Sequence, residues 1–218
     1  MDLQKIRDLN QNLKILTVND DKFRDYGKVL QGFDFSKLIS YAENNIEIPK
    51  SGNRYIASSE KIESFDVIRD IKETVYGTLE IEAGECVGQN SSLTGLEYHQ
   101  GSEVIISVTD CILIVGKVQD LKYNKYDNSN CEIFYLKKGQ AVELYGTTLH
   151  YTPCKVDEKG FMTIVILING TNSLIESVGC ELLTKKNKWF ITHPSQKEKI
   201  KSGAYPGLIG DIIEIKFK

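Results

Sequence analysis

The 218-residue chain carries 27 lysines and arginines against 30 aspartates and glutamates, a formal net charge of −3, with 41% hydrophobic and 26% charged residues. That is the balance of a globular chain able to bury a sizeable core in one domain or two small ones, and it excludes a disordered tail or a fibrous repeat. The basic excess of a general nucleic-acid binder is missing, so no nucleic acid is expected as a partner. The longest apolar runs, Met162 to Ile168 and the interrupted stretch from Val104 to Val115, fall short of the ~18–20 residues of a membrane span, so no membrane partner is expected either. The opening MDLQKIRDLNQN lacks the apolar stretch of a secretory signal. Five scattered cysteines (Cys86, Cys111, Cys131, Cys154, Cys180) form no CxxC pair, and a cytoplasmic location with free thiols is expected.

Residues 1–72 read as a helical or irregular segment. Leu3, Ile6, Leu9 and Leu13 stand at helical spacing. A short strand is expected from Lys14 to Val18, and Asn19-Asp20-Asp21 reads as a helix start ahead of Lys22 to Tyr26, which Gly27 stops. Asp34 is placed to cap a second helix from Phe35 to Ala42, before the breaker Pro49-Lys50-Ser51-Gly52-Asn53. Strand signals follow. Thr78, Glu80 and Glu82 alternate with Leu79, Ile81 and Ala83. Val104 to Val115 reads as one long strand, or as two with a bend near Thr109-Asp110. Cys131 to Leu136, Gln140 to Tyr145 and Phe161 to Ile168 complete the run, and Ile213, Ile215 and Phe217 suggest a closing strand. Lysines 185, 186, 188, 197, 199 and 201 read as a solvated surface. Many short strands punctuated by Gly and Asn predict a mainly β chain, an antiparallel sandwich or barrel behind short N-terminal helices.

The informative segment is Leu96-Glu97-Tyr98-His99-Gln100-Gly101-Ser102-Glu103. On a strand Glu97 and His99 share a face, Tyr98 faces away, and a tight turn would return Glu103 to the same side. His150 follows later in another strand context. Two imidazoles and two carboxylates suit Mn²⁺, Fe²⁺, Ni²⁺ or Zn²⁺, leaving about two positions for substrate or water on an octahedral ion. Taken singly, the same residues have plainer readings. A strand histidine is often only hydrogen-bonded, Glu97 could sit on the surface opposite a lysine, and Glu103 could satisfy a turn. His193 has no partner at motif spacing and reads as structural, and Cys154 could line a pocket. Tyr135 and Glu143 are candidate catalytic acids or bases.

This spacing resembles the cupin superfamily. Glu97 stands where the first histidine of the usual first motif would be, His99 matches the second, and Glu103 matches the glutamate. Gly139 and His150 match the second motif, with Tyr145 and Thr147 in place of its usual proline and glycine. Leu16-Thr17, the segment from Phe23 to Val29, Leu96-Glu97-Tyr98-His99 and Leu149-His150 are similar to ureidoglycolate lyases, cupins that cleave ureidoglycolate to glyoxylate and urea. The pattern also looks like an uncharacterised bacterial cupin family of similar length.

The resemblance implies a cupin-type antiparallel β-barrel (a double-stranded β-helix) over residues 73–218, with a C-terminal extension. Residues 1–72 would pack on it in one compact domain. It further implies a divalent metal held by Glu97, His99, Glu103 and His150, a small-molecule substrate and a homodimer. The activity expected is that of a lyase on an α-hydroxy acid or of a sugar or sugar-acid isomerase. A non-catalytic small-molecule-binding cupin and an Fe-dependent oxygenase are the alternatives.

Overall fold

The computed structural model describes residues 2–176 and 179–218. Its helices are α1 (Leu3–Leu9), α2 (Ser36–Asn45), α3 (Glu60–Glu63), α4 (Asp66–Thr74) and α5 (Lys197–Lys201). The first strands in chain order are β1 (Ile15–Thr17), β2 (Gly27–Val29), β3 (Asn53–Ile56), β4 (Ile81–Gly88), β5 (Gly95–Tyr98), β6 (Glu103–Ser107), β7 (Cys111–Lys117) and β8 (Tyr126–Asp127). They are followed by β9 (Glu132–Leu136), β10 (Ala141–Leu144), β11 (Thr148–Leu149), β12 (Cys154–Lys155), β13 (Phe161–Ile168), β14 (Leu183–Lys185), β15 (Lys188–Thr192) and β16 (Leu208–Ile209).

Two sheets face each other. One runs β2-β10-β6-β13-β4-β3, with each neighbour antiparallel. The other is built on β9 and β7, with β11 and β12 added antiparallel to β7 and β1 joined in parallel to β9. A backbone bridge between Glu97 and His150 joins β5, and with it β15 and β14, to this second layer. The chain is thus mainly β, two largely antiparallel sheets packed face to face as a barrel, with short N-terminal helices.

Strand alternation sorts the side chains into three cores. Ile105, Val142, Leu144 and Val165 meet Leu113, Val115, Phe134 and Leu136 between the sheets, inside the barrel. The reverse face of the first sheet, with Val104, Ile106, Ile164 and Ile166, is covered by Leu38, Ile39, Ile68 and Ile71 of α2 and α4. The reverse face of the second sheet, with Ile112, Ile114, Ile133 and Tyr135, is covered by Ile6 of α1 and by Ile215 of the tail.

Several sequence boundaries shift for local reasons. The stretch from Val104 to Val115 is two strands, bent where Ser107 Oγ donates to Thr109 O at 2.5 Å and Thr109 Oγ1 accepts from Met162 N at 2.8 Å. Asp20 caps no helix through its side chain. Its carboxylate accepts from Thr17 N and Oγ1, both at 2.7 Å, and a single 3₁₀ turn, Asp21–Asp25, follows. The closing strand expected over 213–217 is an extended strap with one bridge, Ser92 to Glu214. Around that bridge Leu93 N donates to Ile213 O at 2.9 Å and Ile215 N to Ser91 O at 2.8 Å, and beyond it the Asn10 side chain donates to Lys216 O and accepts from Lys216 N, both at 2.8 Å.

Candidate metal centre

Backbone pairing alone brings two of the candidate ligands together. Glu97 N donates to His150 O at 2.7 Å and His150 N donates to Glu97 O at 2.9 Å. Residues that exchange both bonds stand directly opposite each other, with side chains on the same face. His99 lies two residues beyond Glu97 and reaches that face as well. Tyr98 points the other way and stacks on Trp189 with ring centroids 5.2 Å apart. The chain then turns at Gly101, whose φ of +107° lies in a region that side chains disfavour. It returns as β6 with Glu103 directed inward.

Each imidazole is held by its Nδ1 atom. His99 Nδ1 donates to Asn187 O at 2.7 Å, and His150 Nδ1 donates to Thr148 O at 2.9 Å. With Nδ1–H committed to a carbonyl, Nε2 carries the lone pair of the neutral ring and points into the barrel, the arrangement that orients a metal ligand. His99 Nε2 is buried without a hydrogen-bond partner, 3.5 Å from Glu103 Oε2 and 3.8 Å from Glu97 Oε1. A buried polar atom left in this way costs free energy unless something binds it. Glu97, His99 and His150 each offer one ligand atom, all within 4.8 Å of one another, the scale of one coordination sphere with bonds of ~2.0–2.2 Å. The donor set therefore fits a divalent ion.

Glu103 faces both rings. Its Oε2 stands 3.1 Å from His150 Nε2. Burial pushes the Glu103 carboxyl up, but His150 and His99 outweigh burial and hold it well below the usual carboxylate range. Burial likewise pushes His150 down, and Glu103, followed by Glu97, overrides it to raise the imidazole to about 9. Without a cation, His150 and Glu103 form a buried ion pair, and a metal would take the place of the His150 proton.

A cavity of about 380 Å³ opens on this cluster, lined by Glu97, Glu103 and His150 together with Arg54, Tyr151 and Lys188 among others. Lys188 Nζ contacts Glu97 Oε2. Arg54 is committed to Glu85 Oε1, with Nη2 at 2.7 Å and Nε at 3.1 Å. Burial raises the pKa of the Tyr151 hydroxyl, so it stays protonated and can donate.

The structure brings Glu97, His99, Glu103 and His150 together and leaves the two catalytic candidates elsewhere. Tyr135 alternates with the inward-facing Phe134, so it lies in the outer core with Ile6 and Ile15. Glu143 alternates with the inward-facing Val142 and Leu144. It accepts from Ser102 Oγ at 2.7 Å and pairs with Lys28 Nζ at 2.9 Å. Neither lines the cavity. His193 bonds Ser195 Oγ at 2.8 Å and Gly210 O at 3.1 Å and does not line the cavity. Cys154 is buried in the outer core, and the thiol that lines the cavity belongs to Cys86.

Lys188, Asn187, Arg54 and Tyr151 escaped the sequence reading. Lys188 was assigned to a solvated lysine surface, yet its side chain is only 20% exposed. The available signal was Trp189, an aromatic beside a lysine in a stretch that could alternate as a strand.

The family model described as "Domain of unknown function (DUF4867)" matches residues 15–213, nearly the whole chain. The chain belongs to the DUF4867 family. No curated protein matches this DUF4867 chain. Among solved structures it is similar to a tryptophan-to-tyrosine variant of oxalate decarboxylase from Bacillus subtilis, at 11% identity and a TM-score of 0.39, covering 79% of this chain and 40% of that one. A tryptophan-to-phenylalanine variant of the same enzyme matches at 12% identity and a TM-score of 0.37, with the same coverage. A third structure, of the oxalate decarboxylase from that organism with its Mn(II) centres, matches at 10% identity and a TM-score of 0.34, covering 66% of this chain and 36% of that one. The DUF4867 chain thus spans well under half the length of these solved chains.

Proposed function

We propose that this protein is a metal-dependent cupin enzyme acting on a small polar metabolite, as a lyase of an α-hydroxy acid of the ureidoglycolate kind. The observation that carries the reading is the convergence of His99 Nε2, His150 Nε2 and the Glu97 carboxylate on one point at the wall of a cavity, with both rings already oriented through Nδ1. Glu97, His99 and His150 would hold the ion, with Glu103 as the fourth ligand, and the ion is Mn²⁺, Fe²⁺, Ni²⁺ or Zn²⁺ by the chemistry of the donors. When bound, the metal supplies Lewis acidity toward a carboxylate and its neighbouring hydroxyl.

The chain's own groups do the rest. The Lys188 ammonium, held at the cavity wall by Glu97, donates to a substrate carboxylate or gives a proton to the departing group. The Tyr151 hydroxyl donates a hydrogen bond and orients the substrate. A second reading, isomerisation of a sugar or sugar acid, is favoured by the cavity volume of about 380 Å³, more than the three-carbon ureidoglycolate requires. The test is proton NMR of the Mn²⁺-loaded protein with ureidoglycolate, uronates and keto-sugars. Cleavage of the hydroxy acid supports the lyase, and interconversion of a sugar supports the isomerase. Binding without turnover across the panel contradicts both and leaves a binding module. Oxygen uptake on adding Fe²⁺ marks an oxygenase instead.

A further inference from the structure

A second cavity of about 370 Å³ adjoins the first and shares Tyr151, Lys185 and Lys188 with it. Its remaining lining includes Lys199, Ser202 and Phe190. Three lysine side chains therefore line one space, one of them, Lys188, paired with Glu97. The carboxylate at its edge, Glu198, is already paired with Lys201 at 2.9 Å. Among the described residues neither Lys185 nor Lys199 has a carboxylate within 4.0 Å.

Lys199 is not a loose surface chain. Its Nζ donates to Thr94 Oγ1 at 3.0 Å and lies 4.7 Å from the centre of the Tyr151 ring. Burial lowers its pKa, Glu97 partly restores it, and Lys188 adds repulsion. A fixed, half-buried ammonium with no carboxylate in contact is stabilised when an anion joins it. Each space exceeds the roughly 30 Å³ of one water many times over, so each accommodates a molecular fragment.

We propose that this second cavity binds a distal anionic group, a carboxylate or a phosphate, of a substrate whose other end is an α-hydroxy acid at the metal. The proposal rests on the reading of Glu97, His99 and His150 as a metal centre, and it narrows the substrate class to hydroxy acids with two anionic ends. Tyr151, as the shared wall, would pack against the linking carbons, while Lys185 and Lys199 neutralise the far charge.

The experiment is calorimetric titration of the Mn²⁺-loaded protein with three probes: glycerate, which has the chelating end only, malate, with a distal carboxylate, and 3-phosphoglycerate, with a distal phosphate. At least one of the two-ended probes should bind about 10- to 100-fold more tightly than glycerate, the scale of one or two charge-assisted hydrogen bonds, and which one does so identifies the anion. Lys199→Met should remove that advantage while leaving glycerate affinity and Mn²⁺ content unchanged, and Lys199→Arg should restore it. Equal affinity for all three probes, or an advantage that survives Lys199→Met, overturns the proposal. Inorganic phosphate is titrated separately into metal-free His99→Ala. Binding there that Lys199→Met abolishes locates the anion site even if the metal reading fails, and no phosphate binding there, together with equal probe affinities in the Mn²⁺-loaded protein, defeats the second cavity alone. The melting temperature of each variant verifies that it is folded.

Discussion

At the scale of single residues, His150 and Glu103 control when the centre is ready for a cation. The folded His150 is raised from 6.5 to about 9 and the folded Glu103 is lowered from 4.5. In the metal-free protein, the His150 contribution to stability is complete below pH 6.5 and fades as pH rises through about 9. The Glu103 contribution is present above pH 4.5 and fades as pH falls through its depressed folded value. The pair therefore stabilises the empty fold most between these limits, and urea titrations of chelator-treated protein should show stability falling on both sides. Metal affinity should run the other way. Each ion displaces the His150 proton, so below pH 9 apparent affinity should rise about tenfold per pH unit, as read by competition with a chelator at several pH values. Glu143→Gln and Tyr135→Phe should leave metal content unchanged, because both side chains lie outside the cavity.

At the scale of elements, Glu97 and His99 were legible from strand alternation, whereas Glu103 needed a turn and His150 the match to the second cupin motif. Glu97 and His99 share a face whatever the tertiary fold, and Tyr98 does not. The same rule, applied to β10, would have placed Glu143 outside the barrel, since Val142 and Leu144 face inward. For β9 the enclosed face could not be read, because Ile133 and Tyr135 on one side and Phe134 and Leu136 on the other are all apolar and buried. The last strand was misplaced for a related reason. The 213–217 segment alternates as a strand should, but the side chain of Asn10, from the far end of the chain, occupies the backbone groups of Lys216.

Asn187 illustrates an element that serves the site from outside it. It sits at the turn between β14 and β15 with φ +57°. Its carbonyl accepts from His99 Nδ1, and its side chain accepts from Gln100 N at 2.8 Å and donates to Thr171 Oγ1 at 2.9 Å. Asn187→Ala should lower metal affinity about 10- to 100-fold while the protein still folds, measured by the same chelator competition. By contrast, Phe134→Ala empties a site inside the barrel where the ring meets Phe23 edge-on at 5.0 Å. It should cost about 3–5 kcal/mol in urea unfolding.

For the whole molecule, the barrel and its two covered outer faces hold the ligands rigidly before any cation arrives. Glu97 and His150 are fixed by the backbone bonds that tie β5 to the second sheet, and the rings of His99 and His150 by the carbonyls of Asn187 and Thr148. A prepared site binds without reordering the chain, so a cation should stabilise the fold by linkage. At a free concentration about 100 times its dissociation constant the gain is about 2.7 kcal/mol, a rise of roughly 5–10 °C in melting temperature for a chain of this size. The most direct measurement is the metal content of protein purified without added ions, by plasma mass spectrometry, for the wild type and for His99→Ala and His150→Ala. Close to one divalent ion per chain in the wild type and near none in either variant is the expected result. Equal content in all three, or none in any of them even after exposure to Mn²⁺, Fe²⁺, Ni²⁺ and Zn²⁺, would contradict the metal centre.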